Sequence, residues 1–175
     1  LCNGLTEISG TGRGSVFLAE GLIISGAGHS AGEIGYCIFE ESKSEIRNNP
    51  GLFGFLESRI SGSALQKSAK GLTPQELFAS YDIHPKEYKE IVDVFVDRLA
   101  IAIANLISIL DPGTVIIGGG VSCSLEPFLE RIRQKVSRYT PIKADIRISG
   151  YFNRAGAIGA CIKAQGALKA GKELI

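Results

Sequence analysis

Glu33 and Glu57 stand in two short segments whose composition suits the grip of a hydroxyl-rich ligand. The first, Gly28-His29-Ser30-Ala31-Gly32-Glu33-Ile34-Gly35-Tyr36, is a glycine-rich loop; the second, Gly54-Phe55-Leu56-Glu57, opens an apolar segment of helical character. An ionised carboxylate accepts several hydrogen bonds and makes each stronger than a neutral acceptor would, so the pair points to a sugar. Taken alone, a glutamate beside glycines is commonly a solvated surface residue. Two further glycine clusters bear on phosphate chemistry. Gly10-Thr11-Gly12-Arg13-Gly14 joins two strand-like runs, where backbone amides can ring an anion, although the same pattern also makes a plain hairpin turn. Gly118-Gly119-Gly120 follows a β-branched run and precedes a helix, the junction at which open α/β sheets bind nucleotides; close packing of strand on helix is the alternative.

The elements that must position these residues are legible from turns and periodicity. Leu5 to Ile8, Ser15 to Ala19 and Leu22 to Ser25 read as an antiparallel meander, with Glu20-Gly21 as a tight hairpin turn. Tyr36 to Glu40 is β-compatible, Glu41 to Pro50 is a polar exposed loop, and Leu52 to Lys70 is helical with a break near Ser61-Gly62. Thr73-Pro74-Gln75-Glu76 begins a short helix that runs to Ser80, with threonine as N-cap, proline at the first helical position and glutamate at the third. From Pro85 to Leu110, apolar Ile91, Phe95, Leu99, Ala102, Leu106 and Ile109 recur at helical spacing, and Asp111-Pro112-Gly113 ends the helix. Thr114 to Ile117 reads as a strand buried on both faces; a helix begins near Ser124, a strand spans Asp145 to Ser149, and a small-residue helix runs from Ala155 to about Ala170. The pattern predicts an α/β lobe with a mixed sheet, an antiparallel meander followed by parallel strands and flanking helices.

The 175 residues are the size of one domain, and 45% hydrophobic content supports a sizeable core. Nineteen basic residues against eighteen acidic ones, without a basic stripe, leave no electrostatic footprint for nucleic acid. Cys2, Cys37, Cys123 and Cys161 are far apart and lie mostly in apolar stretches, which predicts reduced, buried thiols and a cytoplasmic home. No apolar run reaches the length of a membrane span. His29 reads as an exposed loop residue and His84, before Pro85, as part of a turn.

Gly10-Thr11-Gly12-Arg13-Gly14, Ala31-Gly32-Glu33-Ile34-Gly35, Gly54-Phe55-Leu56-Glu57 and the run Asp111-Pro112-Gly113-Thr114-Val115-Ile116-Ile117-Gly118-Gly119-Gly120-Val121-Ser122 together resemble the ROK family. That family contains bacterial sugar kinases and sugar-responsive transcriptional repressors. The resemblance implies an actin-like ATPase (ribonuclease H-like) lobe in which Glu33, Tyr36 and Glu57 contact the sugar. It also implies that Gly10, Thr11, Gly12 and Gly14 face ATP phosphates and that Gly118, Gly119 and Gly120 hold adenosine. The family's other phosphate motif and its catalytic aspartate would precede Leu1, so the 175 residues read as the C-terminal lobe, carrying no catalytic residue of its own and closed by an N-terminal lobe of the same protein.

Departures from the family pattern carry expectations too. Many members hold a structural zinc with one histidine and three cysteines, whose positions here are Tyr36, Asn48, Pro50 and Phe55. No zinc or other metal is expected, and packing by Phe53, Phe55 and Leu56 must order the site instead. The first functional expectation is the sugar-sensing lobe of a ROK-type transcriptional regulator, without direct nucleic-acid contact by this lobe. The second is the C-terminal half of an ATP-dependent sugar kinase using Mg-ATP, and the third a purely structural module. A monosaccharide or sugar derivative is the expected ligand in the first two, with a homodimer as the parent assembly and no membrane contact.

Overall fold

A computed structural model describes residues 4–9, 13–38, 54–83, 86–151 and 154–169. Its sheet has the order β3-β2-β1-β4-β5, with β1 at Gly4–Ser9, β2 at Arg13–Ala19, β3 at Leu22–Ile23, β4 at Thr114–Gly118 and β5 at Asp145–Ile148. The first three strands form the expected antiparallel meander, while β1, β4 and β5 run parallel. The β2–β3 turn is made by Glu20 and Gly21 at φ 53° and 80°. Two positive φ values in a two-residue loop give the backbone twist that matches the flanking strands.

Helices α1 (Glu57–Ile60), α2 (Gly62–Ser68), α3 (Pro74–Ala79), α4 (Lys86–Leu110), α5 (Leu129–Tyr139) and α6 (Ala155–Lys169) complete the lobe. The break expected near Ser61 is present: Ser61 is extended, and its hydroxyl accepts the Ala64 N–H to start α2. Thr73 and Glu76 form the full capping box of α3. On α4, Phe95, Leu99, Ala102 and Leu106 are buried as expected and Ile91 packs partly against the core. Ile109 departs from that face at 76% exposed, although Ile107 in the same turn is fully buried.

Val115 and Ile117 of β4 are fully buried, whereas Thr114 and Ile116 on its other face are half-buried, so the strand is less enclosed than its β-branched run suggests. The helix expected at Ser124 starts as a 3₁₀ turn over Ser122–Phe128 and becomes α-helical only at Leu129. Pro127 lies inside that turn and cannot donate the N–H an α-helical ladder needs. Of the β-compatible run expected over Tyr36 to Glu40, Tyr36 instead ends a 3₁₀ turn that spans Ile34–Tyr36, Cys37 and Ile38 form no strand, and residues 39 and 40 lie outside the described residues. Of the cysteines, Cys37 is half-buried and burial pushes its thiol pKa up. Cys123 and Cys161 are exposed free thiols, contrary to the expected burial, since both sit on helical turns facing outward. Cys2, Phe53, His84 and the Glu41–Pro50 loop lie outside the described residues.

Two polar clusters fasten α4 to α5. Tyr81 and Arg131 each donate to the Asp93 carboxylate at 2.6 Å, and Lys135 and Tyr139 donate to Asp97 at 2.8 and 2.5 Å. The four-residue offset is the same on both helices, which therefore run parallel, each followed by a parallel strand. Partial burial works to raise the Asp93 pKa, but the Tyr81 hydroxyl and the Arg131 guanidinium outweigh it and hold it below the usual carboxyl range. The Lys135 ammonium and the Tyr139 hydroxyl hold Asp97 down in the same direction.

A carboxyl whose pKa is lowered by folding stabilises the fold above its unfolded pKa, about 3.9, and that contribution is lost as pH falls through the folded value. Thermal melts should therefore show stability dropping below roughly pH 4. The drop should be shallower in Asp97→Asn, and equal slopes in the two proteins would remove Asp97 from the account.

Candidate functional site

Glycine contacts between backbones build the site. Gly32 has φ +100°, and a Cβ there would overlap the Ser15 carbonyl of β2. The Gly32 carbonyl in turn accepts the N–H groups of Ser15 and Ile34, both at 2.7 Å. The glycine-rich loop is thus stitched to the second strand immediately before Glu33. Next along the chain, Gly54 lies against the Gly35–Tyr36 peptide so closely that a Cβ would overlap the Gly35 carbonyl and approach Tyr36 N to 2.7 Å. The two segments that carry Glu33 and Glu57 are therefore in direct backbone contact, although they are far apart in sequence.

Each glutamate neighbours a buried anchor. Ile34 is 4% exposed beside an exposed Glu33, and Leu56 is 2% exposed beside a half-buried Glu57. Glu57 is the first residue of α1, and its Oε2 accepts the Gly54 N–H at 3.3 Å. That bond ties the carboxylate to the glycine seam. Tyr36 ends the 3₁₀ turn with its side chain exposed, so its phenol is available next to the seam. Phe55 is stacked by the Arg59 guanidinium at 5.2 Å from the ring centroid, and Ser58 Oγ donates to the Phe55 carbonyl at 2.7 Å. Aromatic stacking and helix-start hydrogen bonds thus order this corner.

The glycine clusters fare differently. Gly10, Thr11 and Gly12 lie outside the described residues. Gly14, expected in the loop, is instead a residue of β2 paired with Ile8, because the strand already begins at Arg13. Gly118 ends β4, Gly119 turns the chain at φ +93°, and Gly120 faces open space. This turn sits at the carboxyl end of a central parallel strand. In open α/β sheets ligands bind in the crevice outside such strand ends. His29 is exposed, in a turn at φ 55°.

Sequence reasoning missed the two close approaches, Gly32 on Ser15 and Gly54 on Gly35, and a contact from α3 to the Gly118–Gly120 turn, in which Gln75 Nε2 donates to the Gly120 carbonyl at 3.2 Å. Local spacing holds no signal for any of them, since each partner lies on a different element. Among the described residues no group of three or more histidine, cysteine, aspartate and glutamate side chains is arranged to hold a metal, and no helix is long and apolar enough to cross a membrane.

With this geometry in place, the chain belongs to the ROK family, whose model matches residues 5–167. It is 28% identical over 158 residues to a beta-glucoside kinase of Listeria innocua, covering 86% of this chain and 52% of that protein. Among solved structures it resembles a ROK hexokinase from Thermus thermophilus, with a TM-score of 0.78 and 25% identity over 92% of this chain and 56% of that one. A ROK family transcriptional regulator, a homolog of the E. coli MLC protein, shares the fold at a TM-score of 0.77 and 17% identity, over 94% of this chain and 46% of the regulator. The chain spans about half the length of the curated relatives it matches.

Proposed function

We propose that this chain is the sugar-gripping half of a ROK sugar kinase with the actin-like ATPase (ribonuclease H-like) architecture. Glu33, Tyr36 and Glu57 bind the hydroxyls of a hexose or hexoside, and the Gly118–Gly120 turn receives the nucleotide. The observation that carries this reading is the seam of Gly54 on Gly35, which joins the two carboxylate-bearing segments. Likeness to a beta-glucoside kinase and a hexokinase supports phosphoryl transfer as the activity.

In that reaction the sugar hydroxyl attacks the γ-phosphate of Mg-ATP in line, and this lobe contributes by fixing both reactants. Each charged acceptor that holds a sugar hydroxyl removes rotational and translational freedom before the bond forms. The base that takes the hydroxyl proton belongs to the N-terminal lobe in this scheme. The family's zinc does not fit these residues: Tyr36 offers a phenol, Phe55 a ring already stacked by Arg59, and Asn48 and Pro50 replace thiolates. No step is assigned to a metal there.

Tyr36 also favours a second reading, the inducer-binding lobe of a transcriptional regulator, because a phenol in place of the family histidine retains a sugar contact while altering its reach. Under that reading the same glutamates bind a sugar and shift a domain equilibrium through differential affinity.

One experiment separates the two. The intact protein carrying this chain is given Mg-ATP with D-glucose or cellobiose, and ADP release is followed alongside calorimetric sugar binding. Sugar-dependent ADP release is the expected result. Sugar binding without turnover would transfer the assignment to the regulator, and absence of sugar binding across a hexose and hexoside panel would defeat both.

A further inference from the structure

We infer that Gln75 is a positioning residue for the nucleotide turn, an inference that rests on reading Gly118–Gly120 as the nucleotide site. The turn is held from two sides. From within, Ser122 donates its N–H at 3.1 Å and its buried Oγ at 2.7 Å to the Gly119 carbonyl. From outside, Gln75 Nε2 donates to the Gly120 carbonyl at 3.2 Å across 45 residues of sequence. Both carbonyls are thereby occupied by protein donors, beside the open space at Gly120.

The amides of the same turn have no such partners. Among the described residues the N–H groups of Gly119, Gly120 and Val121 donate to no backbone carbonyl. Successive unpaired amides around a residue of positive φ form a concavity that receives hydrogen-bond acceptors, such as a nucleotide's ring nitrogens or its ribose and phosphate oxygens. The hydrogen bonds to the two carbonyls fix the turn that presents these amides.

Gln75 can do this because α3 itself is fixed. The Thr73 N–H donates to Glu76 Oε2 at 2.8 Å and the Glu76 N–H to Thr73 Oγ1 at 3.2 Å, which closes the first helical turn. Further along, Phe78 packs edge-on against Phe128 with centroids 5.3 Å apart, seating α3 on the 3₁₀ turn that follows the glycines. Gln75 therefore reaches Gly120 from a rigid base, while its side chain remains at the surface.

The test uses the intact protein and the non-hydrolysable nucleotide AMPPNP with magnesium, by calorimetry, in wild type, Gln75→Ala and the near-isosteric Gln75→Glu. Loss of one neutral hydrogen bond at a site the ligand depends on should weaken AMPPNP about five- to tenfold in Gln75→Ala. Gln75→Glu should weaken it further, since a carboxylate oxygen would then face the Gly120 carbonyl. Sugar affinity and melting temperature should stay at wild-type values in both. Nucleotide affinity unchanged in the variants while wild type binds AMPPNP would overturn the role of Gln75 alone. Parallel loss of nucleotide and sugar affinity with a lowered melting temperature would reduce Gln75 to a structural contact and overturn it as well. Absence of AMPPNP binding by wild type would overturn the nucleotide reading of the turn together with this inference.

Discussion

Gly54→Ala should lower the melting temperature by roughly 5–10 °C and remove measurable sugar binding. The methyl group would occupy the space of the Gly35 carbonyl, so backbone must separate from backbone at the seam. Overpacking that a flexible side chain can relieve costs about 1 kcal/mol; where only main chain can move, about 2–3 kcal/mol is expected. The functional effect should exceed the structural one. Moving Gly54 displaces the N–H that Glu57 Oε2 accepts and shifts the start of α1, and with it the carboxylate, relative to Glu33. Thermal melts and calorimetry on the same protein check both parts, and a variant that keeps wild-type sugar affinity would separate the seam from the site.

Glu33→Gln should leave stability within about 0.5 kcal/mol of wild type, because the side chain is exposed and surface substitutions are usually mild. Sugar affinity should nevertheless fall about 10- to 100-fold. A hydrogen bond to a charged acceptor contributes about 1.5–3 kcal/mol, and the amide replaces one acceptor oxygen by a donor that meets a sugar hydroxyl less well. The contrast between the two variants is diagnostic: one disturbs the frame, the other only the grip. If Glu33→Gln binds sugar as wild type does, Glu33 is a surface residue and the motif match has misassigned it.

Much of the frame could be read from residue order. The Glu20-Gly21 turn, the Thr73–Glu76 capping box, the break at Ser61 and the end of α4 before Pro112 are local events, fixed by the residues that make them. Where neighbours decide, spacing misled. Ile109 continues the apolar period of α4 yet is exposed, Cys123 and Cys161 lie in apolar stretches yet face outward, and Tyr36, the first residue of a β-compatible run, ends a 3₁₀ turn with no strand at Cys37 and Ile38. Gly14 likewise belongs to a strand because its pairing with Ile8 extends β2 into the glycine cluster.

The site shows the same division. Glu33, Glu57 and Gly118–Gly120 can be singled out by type and motif, but their arrangement depends on contacts that no local pattern records. Gly54 meets Gly35, Gly32 meets Ser15, and Gln75 meets Gly120, each across separate elements. In each contact, a glycine lets main chain approach main chain or a side chain reach a carbonyl. Motif glycines thus act here as packing surfaces.

The most direct test is a crystal structure of the intact protein soaked with whichever sugar it binds most tightly in the hexose and hexoside panel. One sugar ring should lie over the Gly35–Gly54 seam, a placement in which carboxylate oxygens of both Glu33 and Glu57 come within hydrogen-bonding distance of its hydroxyls. A sugar bound elsewhere, or touching only one of the two glutamates, would contradict it.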